Sequence, residues 1–210
     1  MAVVAALEDI DCSQLGAALG GQQGPVTLMG RPKSVRTLWQ GWTPQTAQET
    51  HQTIYTNHSL PLHPIVNGFR RAVLDDLETV RQFSIEGAVE ETGVNPAEGR
   101  PKAFEAMVRR RILNEMTWVI EHNGTIVFQV HAAPVFADCC QLVGTYVPKK
   151  HRGYGYSKDG VRGFLQQMIP LAGTVVLRVT EGNEPAIRCY RSTGFKPHAP
   201  FLVLNIPSHP

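Results

Sequence analysis

The chain has 210 residues, 42% of them hydrophobic, and a formal net charge of only +2. Such a chain can bury a real core, read here as one domain plus an appendage, and its charge gives no general reason to expect nucleic acid or an anionic membrane as partner. No stretch approaches the ~18 apolar residues that span a bilayer. The start, Met1 to Asp9, lacks the basic head and long apolar run of a secretory signal. Of the four cysteines, Cys139 and Cys140 are adjacent and none forms a C-x-x-C pair. That pattern argues against a disulfide framework and makes the reducing cytosol the expected compartment.

Residues 1–66 read differently from the rest. A short helix is expected from Asp11 to Gly20-Gly21, and Val26 to Met29 reads as a strand. Gly30-Arg31-Pro32 then turns into a helix carrying Val35, Leu38 and Trp39. A weaker strand, Thr53 to Leu60, precedes a linker, Pro61-Leu62-His63-Pro64. These elements bury little alone, so the segment is expected to pack on the domain that begins near residue 67, as half of a binding cleft or as a homodimer contact.

From residue 67 to 210 the order is regular. Phe69 to Leu74 reads as a strand, and Asp75-x-x-Glu78 as a capping box for a helix with Leu77, Val80 and Phe83 or Ser84 on one face. A second helix carries Phe104, Met107, Val108 and Ile112; its Arg109-Arg110-Arg111 run reads as a solvated face. Thr117 to Glu121 and Thr125 to Val130 flank His122-Asn123-Gly124, a hairpin signal. After a turn near Ala137-Asp138, Gln141 to Val147 reads as a strand, followed by a basic glycine loop. The next helix places Val161, Phe164, Leu165, Met168 and Ile169 at i, i+3, i+4, i+7 and i+8. A strand over Thr174 to Val179, a helix from Asn183 to Gly194 and a strand over Phe201 to Ile206 complete the order β-α-α-β-β-β-α-β-α-β.

The loop is Pro148-Lys149-Lys150-His151-Arg152-Gly153-Tyr154-Gly155-Tyr156-Ser157. Strand, glycine loop and helix form an anion-binding arrangement, because the first N–H groups of a helix have no intrahelical partner and its dipole favours negative charge there. Arg152, Lys149 and Lys150 add positive charge. The third glycine of a dinucleotide fingerprint is missing, and no G-x-x-x-x-G-K-[ST] is present. What remains, Arg152-x-x-Gly155-x-Ser157, resembles the R/Q-x-x-G-x-G/A pyrophosphate loop of the GNAT N-acetyltransferases, with Ser157 in place of the usual Gly or Ala. Further on, Asn183-x-x-Ala186-x-x-x-Tyr190-x-x-x-Gly194-Phe195 resembles that family's second signature at every fixed position. The N-terminal segment, through Leu28-Met29-Gly30-Arg31 and Val35-x-x-Leu38-Trp39, is similar to that of two-part bacterial GNAT proteins whose first half is uncharacterised.

The resemblance implies an α/β GNAT fold, a mixed, twisted sheet with helices on both faces, over about residues 67–207. It also implies acetyl-CoA as co-substrate, with backbone N–H groups from Arg152 to Ser157 (Gly153, Tyr154, Gly155 and Tyr156 between them) on the pyrophosphate. Thr145, Tyr146 and Val147 would pair with the pantetheine arm, and the Val147 N–H would polarise the thioester carbonyl. Lys149, Lys150 and His151 lie where a ribose 3′-phosphate could be met, or are solvated loop charges. Tyr190 is the expected general acid, against a reading as a core tyrosine, and Asn183 a cofactor contact, the helix cap, or both. Tyr190 follows Asn183 by seven residues, two turns along one helix face. For the general base, Glu121, His131 and Glu181 are candidates, as is a water chain. His131 has the better intrinsic pKa, though a lone strand histidine is more often structural. Nothing near Cys189 activates it as a nucleophile, and no cluster has metal-ligand spacing.

The function these residues imply is acetyl transfer to an amine, small-molecule or peptide, by direct attack within a ternary complex. Two rivals stand beside it: a GNAT-fold module that binds acyl-CoA without turnover, and an unrelated phosphate-binding α/β protein.

Overall fold

The computed structural model describes residues 2–6, 26–40, 47–136 and 138–206, and side chains within these except at 2–6 and 134–136. The helix expected from Asp11, the turn residue Ala137 and Trp42 lie outside the described residues. The chain divides into two compact units, one drawn from Met1–Tyr55, Arg178–Ile187 and Pro197–Pro210, the other from Thr56–Leu177 and Arg188–Lys196.

The first unit is built on β1 (Ala2–Ala6), β2 (Val26–Gly30), β3 (Gln48–Asn57, its last two residues in the other unit) and β9 (Lys196–Ile206, less its first residue), with helix α1 (Pro32–Gln40). The pairing order is β1-β2-β9-β3. β1 runs parallel to β2, and β2 antiparallel to β9, with Leu28 opposite Leu204. Val26 and Leu28, the α1 pair Val35 and Leu38, and Leu202, Leu204 and Ile206 form one buried cluster, against which Trp39 packs. The expected α1 is therefore present, and its i, i+3 pair is the part that goes inside. β1 went unseen in the sequence. β3 starts five residues before the expected Thr53 and ends at Asn57, because its polar first half, Gln48 to Gln52, carries no apolar alternation to read.

A chain beginning at residue 66 would lose Val26, Leu28, Val35 and Leu38 from this cluster, leaving Leu202, Leu204 and Ile206, each now at most 3% exposed, facing water. At ~1.5–3 kcal/mol per buried aliphatic side chain, that shortened chain should aggregate or melt well below the full one. A stable monomer with an unchanged melting curve would show that the segment is only a tether.

The second unit contains β4 (Phe69–Arg71), α2 (Leu77–Thr92), α3 (Pro101–Leu113), β5 (Thr117–His122), β6 (Thr125–Phe136), β7 (Cys139–Tyr146), α4 (Tyr156–Ala172) and the first half of β8 (Thr174–Thr180). Helix α5 (Glu184–Ser192) begins in the first unit and ends in the second. The order is β8-β7-β6-β5-β4, with β7 parallel to β8 and the other neighbours antiparallel. The sheet is mixed, as expected, and the element order from β4 onward is the expected one. Asn123 and Gly124 make the hairpin turn with φ 50° and 71°.

Helices cover both faces of this sheet. On one face Trp118 meets Phe164 of α4 edge-on, and α4 comes so close that a Cβ on Gly160 would lie 2.2 Å from the Phe128 ring. On the other, Val119 packs with Val80 of α2 and with Phe104, Val108 and Ile112 of α3. Alternation along β5 and β6 sends neighbouring residues to opposite faces. The expected capping box is absent: α2 starts without a side-chain cap, Asp76 Oδ2 accepts from the Val73 N–H at 2.8 Å, and Glu78 pairs with Arg81 instead. The arginine run is not wholly solvated, since Arg111 is half-buried.

Candidate active site

The site is built where β7 leaves β8. Their ladder runs Cys139↔Thr174, Cys140↔Val175, Gln141↔Val176 and stops there, although β7 continues to Tyr146. From Leu142 onward β7 forms no further pair with β8 among the described residues, and unpaired backbone groups on such an edge accept an extended ligand readily.

Within this stretch β7 carries a bulge. His131 of β6 pairs with Val143 and Gln129 with Tyr146, so Val130 alone faces Gly144 and Thr145. Gly144 has φ 63°, the left-handed region that glycine enters without strain. The extra residue turns Tyr146 onto the α2 face. There its ring lies 5.5 Å from Phe83, and its hydroxyl donates to Glu86 Oε2 at 2.9 Å. Burial, followed by Glu86 itself, pushes the Tyr146 phenol far up.

Thr145, one step earlier, faces the other way. Its Oγ1 is buried and makes no hydrogen bond, although it lies near enough to the Tyr190 phenol to draw that pKa down somewhat. Burial outweighs this and pushes the phenol up to about 12. The Tyr190 ring is fixed by an edge-on contact with Phe195 at 5.8 Å.

After Val147, which is buried, a single 3-10 turn over Lys149–His151 leads into the glycine loop. Gly153 and Gly155 have φ 86° and 88°, and a Cβ on Gly153 would meet nothing within 4 Å. Gly155 occupies the N-cap of α4, so the loop ends on the helix's unpaired N–H groups. The Arg152 guanidinium faces back into the protein: Nε donates to Val147 O at 2.9 Å and Nη2 to Glu90 at 2.6 Å. Lys149 and Lys150 are exposed, whereas the His151 Nε2 is buried with no partner. Tyr156 is half-buried between His122 and the exposed Tyr154, with ring centroids 5.9 and 6.2 Å away. Cys189 of α5 sits against Ser157, its thiol pushed up chiefly by burial.

The second unit thus brings together Thr145, Tyr146, Val147, the loop from Arg152 to Ser157, and Tyr190. Asn183 belongs to the first unit, where its Oδ1 accepts from the Ala186 N–H at 3.3 Å and caps α5. Beside the loop a cavity of ≈ 530 Å³ is lined by Arg70, Asp76, Glu86, Glu121 and Lys150, among others. Arg70 holds Asp76 at 2.6 Å and Glu121 at 2.7 Å, so Glu121 is an ion-pair partner and not a free base.

His131, the candidate base with the best intrinsic pKa, is buried to 1% exposure. Its Nδ1 lies 2.9 Å from Thr117 Oγ1 and its Nε2 3.4 Å from Ser84 Oγ. Because the Ser84 hydroxyl donates to Val80 O at 2.7 Å, the ring proton sits on Nε2 and Nδ1 accepts from Thr117. Burial, reinforced by the charge of Arg111, lowers the His131 pKa to about 3. The ring is a neutral structural group.

Between pH ~6.5 and ~3 the unfolded chain binds a proton at His131 and the folded chain does not, so this residue makes stability fall as pH drops through that window. The loss should approach ~1.4 kcal/mol per pH unit. Melting curves of wild type and His131→Gln should converge as the buffer is acidified; parallel curves would contradict a neutral His131.

The family model described as Acetyltransferase (GNAT) family matches residues 85–195, over half of the chain. The chain belongs to the GNAT acetyltransferase family. Its fold is theirs as well. A GNAT-family putative acetyltransferase from Novosphingobium aromaticivorans superposes with a TM-score of 0.66 at 13% identity, over 95% of this chain and 81% of that one. A GNAT acetyltransferase from Colwellia psychrerythraea gives 0.65 at 14%, over 92% and 72%. A GCN5-related N-acetyltransferase from Kribbella flavida gives 0.59 at 15%, over 93% and 73%. At such identities the likeness carries the fold alone. No curated protein sequence matches. Among the described residues no helix is long and apolar enough to cross a membrane, and no group of three or more His, Cys, Asp or Glu could hold a metal ion.

Proposed function

We propose that this GNAT protein transfers acetyl from acetyl-CoA to an amine, by direct attack within a ternary complex. The observation that carries this reading is the early end of the β7–β8 ladder, after which β7 runs with a free edge into a glycine loop on the N-terminus of α4. A strand edge suits the amide-bearing pantetheine arm, and a helix N-terminus with two open glycines suits a pyrophosphate. The buried, unpartnered Thr145 Oγ1 on that edge is a polar atom for which a ligand can supply the missing bond.

In this reading the backbone from Arg152 to Ser157 binds the diphosphate, while Arg152 itself braces the loop against α2 through Glu90. The Val147 N–H polarises the thioester carbonyl, and the amine attacks that carbon as the C–S bond breaks. Tyr190, protonated at every physiological pH because burial raises its pKa, delivers the proton that the departing thiolate takes up. The proton released by the amine leaves to water, since His131 is sealed, Glu121 is paired, and Glu181 is an exposed residue of the first unit.

Calorimetric titration with CoA, ATP and NAD tests the loop: CoA alone should bind, and preference for ATP or NAD would replace the reading with a nucleotide-binding one. A panel of amines assayed for free-thiol release then tests transfer. CoA binding with no release by any amine would favour a non-catalytic acyl-CoA-binding module.

A further inference from the structure

We infer that His131 is a positioning residue for the β7 bulge, and through it for the strand edge that receives the thioester; this rests on the transferase reading above. The observation is a wedge. A Cβ built on Gly144 would lie 2.5 Å from His131 Cδ2 and 3.1 Å from Nε2, so the imidazole occupies the volume that any other residue at 144 would fill. The ring is held from both sides, by Thr117 of β5 at Nδ1 and by Ser84 of α2 at Nε2. Ser84 in turn is fixed to Val80 O, and the Gln129 amide lies 3.1 Å from its Oγ. A helix, two strands and a buried polar chain thus converge on one glycine.

The bulge has a consequence for every side chain after it. Val143 and Tyr146 both pair with residues whose side chains face α2, His131 and Gln129, although three steps separate them along β7. A regular strand would place positions 143 and 145 on the same face and 146 on the other. Removing the bulge would therefore swing Thr145 away from Tyr190, turn Tyr146 off Phe83 and Glu86, and exchange the backbone groups presented along the free edge. The wedge keeps Gly144 left-handed and so selects the register in which Thr145 and Tyr190 share a face.

A neutral ring suits this task. The same place filled by an imidazolium would put an unpaired charge in the core beside Arg111. Burying a neutral polar group with both nitrogens engaged fixes its orientation, where an aliphatic side chain would leave the Thr117 hydroxyl without its partner and the ring volume adjustable.

The test compares wild type with His131→Ala, His131→Gln and Thr117→Val in the full-length chain. His131→Ala should raise amide hydrogen exchange at residues 143–147 by about tenfold or more while leaving the 122–125 hairpin tip as in wild type. Turnover with the best amine of the panel should fall by roughly tenfold or more, with the acetyl-CoA KM moving much less, since small misplacement of a reacting group is costly. His131→Gln, which keeps an amide near the Nε2 position, should recover part of both. Thr117→Val leaves the ring and removes one tether, so it should raise exchange over 143–147 by a smaller factor; it also carries the test if His131→Ala fails to fold.

Normal exchange at 143–147 and normal turnover per folded molecule, with only the melting temperature lowered, would make the ring plain packing and overturn the proposal. Loss of one limb of the pH–rate profile in His131→Gln, without a change in exchange, would make His131 a base and overturn it equally. If wild type binds neither CoA nor acetyl-CoA, the transferase reading fails, and the exchange comparison still decides whether His131 sets the bulge.

Discussion

Gly155→Val is expected to weaken CoA binding by about tenfold or more, a loss of some ~1.4 kcal/mol. Two effects combine. Gly155 has φ 88°, a region in which a β-branched side chain is strained by ~1–3 kcal/mol. The new side chain would also stand at the N-cap of α4, where the diphosphate is to meet the helix N–H groups. Strain alone lowers stability, so the melting temperature should drop by several degrees, roughly 2–4 °C per kcal/mol for a chain of this size. A control separates the two effects. Gly173 has φ 65° at the other end of the same helix, with only Asp138 O near its Cβ position. Gly173→Val should cost similar stability and leave CoA affinity unchanged. Equal affinity in both folded variants would remove the diphosphate from the loop.

Much of the fold could be read from the chain because its strongest signals are local. Of the α4 stripe, Val161, Phe164, Leu165 and Ile169 are buried and Met168 half-buried, and Asn123-Gly124 closes its hairpin. α3 buries Phe104, Val108 and Ile112, again as spaced. Strand ends were less legible. β3 starts in Gln48-Glu49-Thr50 and β9 in Lys196-Pro197-His198, exposed or half-exposed residues that carry no apolar alternation.

Around the site, the residue types were legible but their partners were not. Arg152 carried the right charge at the right place in the motif, yet its guanidinium is held by Glu90, sixty-two positions earlier. The Gly144 bulge had a signal, a lone glycine inside an apolar strand run, which marks a bulge or a close approach. The ring that fills its vacant side comes from another strand, and no spacing could pair them. The same holds for the grouping of Arg178–Ile187 and Pro197–Pro210 with the N-terminal segment, which depends on strand order across the sheet.

Tyr190→Phe should lower kcat by ~10²-fold or more, within the range for loss of one acid–base group, while CoA affinity and melting temperature hardly move. The change removes only the hydroxyl. The ring keeps its edge-on contact with Phe195 at 5.8 Å, and the nearby Thr145 Oγ1 already makes no hydrogen bond, so the substitution strands no new partner. Stability should therefore be spared. Turnover should not be, because a leaving thiolate needs a proton at once, and the phenol lies near Thr145 of β7 with its proton held at every working pH. The pH profile adds a second reading. With the phenol pushed up to about 12, the wild-type rate should show no alkaline fall attributable to Tyr190 below that pH. In the variant the residual rate should rise with the concentration of a small buffer acid able to protonate the thiolate. A core role gives the reverse pattern, with a lowered melting temperature and near-normal kcat, and would shift proton delivery to solvent or another side chain.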